Sequence, residues 1–295
     1  MALDGYYDEE GNLDKDKTDL LIPNDFIIEL TECLNNQFEG FKPFVPVISI
    51  HPYRGDAIKE LARLNDTHAV RFIKWLPNVM RIDPSNRKII PFYRELEKRK
   101  ITLISHTGGE STLISQDENQ RFGNPQLLKL PLDLGVRVIM AHSGRSHDTE
   151  DMETGKEQSN FSLFLKMMRI KKYEGLLFGD LTALTLGRTL DHLNFIAEEP
   201  YLKNRILNGS DYPLPAVYFL VQDSLGQLKK KGFLNDAQAE LLKEIYSYNP
   251  LLYNFVLKRT IKPPRTKKRL PREMFLSIQD NLNADNSLNK AGHDL

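Results

Sequence analysis

Among the short apolar runs of this chain, two end on a histidine that opens a small-residue turn and two end on aspartate. Ile101-Thr102-Leu103-Ile104-Ser105 leads into His106-Thr107-Gly108, and Val138-Ile139-Met140-Ala141 leads into His142-Ser143-Gly144. Leu176-Leu177-Phe178-Gly179 leads into Asp180, and Ile206-Leu207-Asn208-Gly209-Ser210 into Asp211-Tyr212-Pro213. Neutral imidazoles and carboxylates suit a divalent ion such as zinc, and a catalytic zinc keeps one position open for water. The ion lowers the pKa of that water toward about 7, and a nearby carboxylate or imidazole takes its proton. In such chemistry His106 is a ligand. Asp211 is a ligand, the base for the water, or both, and His142 is a ligand or the group that polarises the substrate.

Other residues at run ends carry weaker signals. Lys74 closes Val70-Arg71-Phe72-Ile73 and could reach a metal or substrate, even as a carbamylated bridge, but a structural ion pair is the favoured reading. His51 closes a β-branched run before Pro52 and is balanced between site and structure. Asp180 is balanced between a site role and capping its own turn. Tyr53, Arg54 and Glu110 lie just beyond run ends, where substrate contacts belong, although solvated loop positions are their default. Trp75 reads as packing. His68, His147, His192 and His293 have no comparable context.

The elements that must position these residues follow from pattern. Near-continuous apolar runs bounded by Gly and Pro read as buried strands of a parallel sheet covered on both faces. Strands are expected to end near His51, Lys74, His106, His142, Asp180 and Asp211. Between them, Phe26, Ile27, Leu30 and Leu34 mark one helix. Ile58, Leu61 and Leu64 mark another, with Asp56 as its cap. Ile89, Phe92, Tyr93 and Leu96 mark a third, which ends in cations that suit the helix dipole. Leu127 to Leu134 is expected to be helical up to Gly135, Phe161, Leu165 and Met168 lie on a further helix, and Thr189 to Glu198 is another. Ala216 to Lys230 and Ala237 to Leu257 are long helical patterns. The polar loop Ser146 to Ser159 could act as a flap.

The end residues recur at 32, 36, 38 and 31 residues from Lys74 through His106, His142 and Asp180 to Asp211. A strand-helix unit of a parallel sheet takes about 30 residues or more, so these are successive units. An eightfold barrel takes about 250 residues. The expected fold class is therefore α/β, a (β/α)8 TIM-barrel type with about six strand-helix units and its first two strands missing or partial. Strand ends in such a barrel share one rim, which would bring Lys74, His106, His142 and Asp211 to one pocket. Residues 1–261 form the barrel. Residues 262–295 are a basic, proline-containing and then polar tail, expected to hug the surface or be disordered.

Composition narrows the function classes. The chain has 295 residues with 40 basic and 40 acidic side chains, so its formal net charge is zero. A balanced charge gives no argument for nucleic acid or an anionic membrane, and no apolar run is long enough to span a bilayer. The single cysteine, Cys33, cannot form an internal disulfide, and with no signal peptide this suits a cytoplasmic setting. A homo-oligomer is compatible with the sequence.

Ile104-Ser105-His106-Thr107-Gly108, Ile139-Met140-Ala141-His142-Ser143-Gly144 and Asn208-Gly209-Ser210-Asp211-Tyr212-Pro213 resemble motifs of the amidohydrolase superfamily. They look most like its amidohydrolase-related branch of TIM-barrel metal-dependent hydrolases, and Asn249-Pro250-Leu251-Leu252 is similar to that branch as well. The resemblance runs from about Met1 to Thr260. It implies a divalent metal, most often zinc, with one ion favoured over two. By analogy His106 matches the fifth-strand ligand, Asp211 the eighth-strand ligand and His142 the sixth-strand histidine. The implied reaction is hydrolysis of an amide, ester or lactone in a small molecule, with decarboxylation as the alternative within the superfamily. The family opens with a His-x-His pair on its first strand, and no two histidines here are separated by one residue. The resemblance thus implies a chain without the family's first segment, through truncation, a misplaced start or genuine loss. Such a chain would bind metal poorly, and a metal-poor, non-enzymatic barrel is the alternative class.

Overall fold

The computed structural model describes residues 1–113, 115–145 and 147–276. Among the described residues, six parallel strands alternate with helices, two fewer than a complete (β/α)8 barrel would have. The chain divides into two compact units, Met1–Leu177 and Phe178–Leu295.

In the first unit, β1 (Val47–Ile48), β2 (Phe72–Trp75), β3 (Thr102–His106) and β4 (Val138–Ala141) are neighbours in that order. Their register pairs Ile73 with Leu103 and Leu103 with Val138, so strand ends advance together and His106 stands opposite Ala141. Every residue of β2 and β4 is buried, as expected of parallel strands covered on both faces. The chain start lies against β1: Ala2 N–H donates to Val47 O (2.8 Å), and Leu3 forms an isolated antiparallel bridge with Ile22.

Helix Ile90–Lys98 buries the expected Phe92, Tyr93 and Leu96, and helix Ala57–His68 buries Leu61 and Leu64 but leaves Ile58 exposed. Helix Asn24–Asn35 departs from its expected stripe: it buries Ile27, Ile28, Thr31 and Asn35, while Phe26 and Leu30 are exposed. Trp75 is fully buried and stacks on Phe92 with ring centroids 5.8 Å apart. Its indole N–H donates to Ile50 O (2.9 Å), and Ser49 Oγ donates to Lys74 O (2.8 Å). These two bonds fasten the end of β2 to the chain leaving β1.

Three further expectations are corrected. Asp56 makes no capping hydrogen bond at Ala57–His68, because its carboxylate is held by Arg54 (2.9 and 2.8 Å). The segment read as a polar flap forms a hairpin of β5 (Asp148–Glu150) and β6 (Glu157–Ser159), while Ser146 lies outside the described residues. The buried Asp151 ties that hairpin down by accepting from Gln126 Nε2 (2.8 Å) and Lys166 Nζ (3.0 Å). The long pattern from Ala237 is two helices, Asp236–Tyr248 and Pro250–Thr260. Asn249 breaks it in an extended conformation and caps the second helix by accepting from Leu251 N–H and Leu252 N–H. Pro250, at the first helical position, has no N–H to satisfy.

In the second unit, β7 (Leu177–Asp180) pairs in parallel with β8 (Ile206–Leu207). Helices Leu190–Glu198 and Tyr218–Lys230 follow the pattern. Residues 262–276 pack against this unit. Leu270 and Met274 are buried, Phe275 meets Phe255 edge-on at 5.6 Å, and Glu273 pairs with Lys203 (2.8 Å). The rest of the expected tail, 277–295, lies outside the described residues. No described helix is long and apolar enough to cross a membrane.

Candidate functional site

In the first unit the chemistry gathers where β3 and β4 end. His106, the last residue of β3, is 7% exposed. His142 follows β4 directly, and the two imidazoles meet edge-on with centroids 4.9 Å apart. Thr107 fixes this arrangement. Its hydroxyl donates to Ala141 O (2.7 Å) and accepts from Gly144 N–H (3.1 Å), spanning the turn that carries His142. Within that turn His142 and Ser143 have φ of 63° and 50°, the left-handed region that non-glycine residues seldom enter. Such strain persists only where surrounding contacts impose it, and it gathers at functional sites.

The two nitrogens of His106 differ. A hydrogen bond to the Gly109 backbone holds the ring, and the Glu110 carboxylate approaches Nδ1 at 3.7 Å. Nε2 is buried and has no hydrogen-bond partner. Burial, reinforced by the nearby positive charges of Lys74 and Arg145, pulls the His106 pKa down to about 4 against the opposing pull of Glu110. The ring is therefore neutral at neutral pH, and with Nδ1 as the donor the lone pair of Nε2 is left over. A hydrogen bond at the other ring nitrogen that fixes the tautomer in this way is the usual preparation of a ligating histidine. Burial works to raise the Glu110 carboxyl, but the neighbouring imidazole and the backbone N–H groups of Thr112 and Leu113 bring it below its usual range.

A third imidazole, that of His147, to which the sequence pattern gave no role, lies against the chain beyond β3. A Cβ on Gly109 would fall 2.1 Å from His147 Nδ1, so the lack of a side chain there lets the His147 ring lie against the chain three residues beyond His106. His147 is exposed at the foot of the β5–β6 hairpin, and its carbonyl accepts from Asn160 N–H (3.1 Å) and Nδ2 (3.0 Å). The paired glycines at 108 and 109 were the one available hint of close backbone approach.

The other flagged residues of the first unit have structural partners. Fully buried His51 donates from Nε2 to Met80 O (2.8 Å), and its Nδ1 accepts from Tyr53 N–H (3.2 Å). Both ring nitrogens are thus committed to backbone, and burial lowers the pKa to about 4. Tyr53 OH accepts from Asn86 Nδ2 (3.0 Å). Arg54 bridges the buried Asp4 (2.9 Å) and Asp56. Lys74 is buried near the end of β2.

The second unit gathers charge of its own. Asp180 ends β7, and its Oδ1 accepts from Thr182 N–H (3.0 Å) and from the Thr182 hydroxyl. Gly209 lies against this turn, where an added Cβ would fall 2.4 Å from Thr182 Cγ2 and 4.0 Å from Asp180 Cγ. Asp211 follows with φ of 60°, the same left-handed conformation as His142. Lys258, on helix Pro250–Thr260, is fully buried and donates to Gly209 O. Burial pulls its pKa down to about 8, while the negative charges of Asp180 and Asp211 act to raise it. Sequence reading missed Lys258. Its signal was a charged residue on the stripe of Tyr253, Asn254 and Leu257, the other buried residues of that helix.

No protein-family model matches the chain, and no curated protein matches its sequence. Among solved structures, an uncharacterised TIM-barrel protein, Bb4693 from Bordetella bronchiseptica, is similar. Its TM-score is 0.50 at 16% identity, over 80% of this chain and 74% of the other. The fold is that of a TIM-barrel protein. Two further similar structures are a candidate 2-pyrone-4,6-dicarboxylic acid hydrolase from Pseudomonas putida and a candidate amidohydrolase from Staphylococcus aureus. The first has a TM-score of 0.42 at 17% identity over 65% and 63% of the chains. The second has a TM-score of 0.41 at 13% identity over 73% and 76%.

Within this TIM-barrel fold, the fit to a metal is clear at one position. Buried, neutral and unpartnered, His106 Nε2 suits a metal ligand. Among the described residues, no three His, Cys, Asp or Glu side chains converge as a group that could hold an ion.

Proposed function

We propose that the chain is a metal-dependent hydrolase of small-molecule amides, esters or lactones, with His106 Nε2 as a metal ligand. The observation that carries this reading is the buried Nε2 lone pair, because a buried polar atom left without a partner costs about 1–3 kcal/mol unless something uses it. A zinc ion held there would supply a water with a pKa near 7. With the ion bound, His142 would hydrogen-bond the substrate carbonyl, and the Asp211 carboxylate would serve as the proton acceptor. The left-handed backbone at both residues supports their selection. Lys74, Glu110 and Asp180 are proposed to shape the charge around these groups.

The test is hydrolysis of a panel of amides, aryl esters and lactones with added Zn2+, using the full chain and the variants His106→Ala, His142→Asn and Asp211→Asn. The reading predicts turnover that falls by about 100-fold or more in each variant, in the range that loss of a general acid or base costs. Wild-type rates in any variant would remove that residue from the mechanism. Release of carbon dioxide from unsaturated or aromatic acids without hydrolysis would replace the reaction with decarboxylation.

A second reading, a metal-poor barrel that binds without catalysis, is favoured by the absence of a three-donor group among the described residues. It predicts no turnover on any panel member and no retained zinc.

A further inference from the structure

A buried lysine needs a reason, because taking an ammonium out of water is costly unless opposite charge and hydrogen bonds replace the solvent. Lys258 is completely buried on helix Pro250–Thr260. It has three compensations in its own unit: the Gly209 carbonyl that accepts its hydrogen bond, and the negative charges of Asp180 and Asp211. Gly209 also lies against the Asp180–Thr182 turn, where its missing side chain leaves room for Thr182 and Asp180, and Asp211 follows it by two residues. Two carboxylates gathered in this way repel each other and ordinarily draw in a cation. Here the cation is part of the chain.

We infer that Lys258 is a resident counter-cation for the Asp180 and Asp211 carboxylates, holding them in place and filling the charge role that a divalent ion would otherwise take in the second unit. The side chain is a positioning residue. Its ammonium holds the end of β8 through Gly209 O and fixes the carboxylate that carries the Asp211 role. The consequence for hydrolysis rests on the proposed function, but the ion cluster itself does not. The cluster also has a sign. Removing a fixed positive charge beside two carboxylates raises their attraction for a free cation.

The test uses the full chain and Zn2+ alone as the probe. Calorimetric titration compares wild type with Lys258→Met, Lys258→Arg and the double variant Lys258→Met/Asp211→Asn. The inference predicts that Lys258→Met gains a Zn2+ site at least tenfold tighter than any wild-type site that depends on Asp211. It also predicts that Lys258→Arg behaves as wild type and that the double variant loses the gained site. A folded Lys258→Met with unchanged or weaker Zn2+ binding overturns it.

A second measurement decides the matter even if Lys258→Met fails to fold. In 15N-labelled protein, lysine-ammonium NMR should show a slowly exchanging signal that is lost in Lys258→Arg and shifted in both Asp180→Asn and Asp211→Asn. The surface variant Asp191→Asn should leave it unmoved. A Lys258 signal insensitive to both carboxylate variants overturns the inference. Absence of hydrolysis with these NMR shifts present removes the hydrolase reading and leaves the counter-cation standing.

Discussion

At the scale of the residue, two histidines set how the protein answers to acid. His51 and His106 both have folded-state pKa values of about 4, below the ordinary 6.5, mainly because burial disfavours the charged ring. As pH falls, the unfolded chain takes up these protons first. The stability each neutral ring contributes is therefore complete above pH 6.5 and is lost as pH drops toward 4. The loss is roughly 3 kcal/mol per ring. Urea denaturation at steps between pH 7.5 and 4 should show this decline, and a flat midpoint over that window would contradict it. In the sequence both close an apolar run, and His51, before Pro52, carried the weaker signal, balanced between site and structure. Its structural partners could not be read there, because Met80 O and Tyr53 N–H are backbone groups that no residue type announces. Lys258 and His147 were illegible for a related reason. Each owes its place to a glycine elsewhere in its unit, Gly209 or Gly109, that lets chain segments close together.

At the scale of the element, Thr107 does the most for the candidate site. One buried hydroxyl bonds both sides of the His142 turn and joins the end of β3 to that of β4. Thr107→Val keeps the shape and removes both bonds, leaving Ala141 O and Gly144 N–H unpaired. The expected cost is about 2–4 kcal/mol in chemical denaturation, with a larger fall in any metal- or substrate-linked activity than in stability. A variant as stable and as active as wild type would show that the turn holds itself. The strands and most helices were readable because buried parallel strands and one-faced helices leave strong apolar periods. The failures came where local chemistry overrode the period. Asn249-Pro250 split one long apolar pattern into two helices, and Arg54 drew Asp56 away from its cap. The hairpin of β5 and β6 has exposed or half-buried residues throughout and so carries no apolar alternation to read.

At the scale of the whole molecule, equal numbers of acidic and basic side chains place the pI near 7.1. Net charge is what keeps proteins apart in solution. Solubility is therefore expected to pass through a minimum near pH 7 and to rise on the alkaline side, and a light-scattering series in low salt checks this. A monotonic rise from pH 6 to 9 would contradict it. The (β/α) class was legible from the 31- to 38-residue spacing of the run ends alone, and the described residues contain six strand-helix units. The division at Leu177 was not legible, since it falls inside a strand whose sequence has no linker character.

The central claim is that His106 Nε2 is prepared for a metal. The most direct measurement is the zinc content and Zn2+ affinity of the purified full chain beside its His106→Ala variant. The account predicts that the wild-type chain retains zinc, and that His106→Ala, still cooperatively folded, binds it more than about 100-fold more weakly, beyond what loss of an outer-shell partner costs. Equal zinc binding by the two proteins, or none in the wild type, would contradict it.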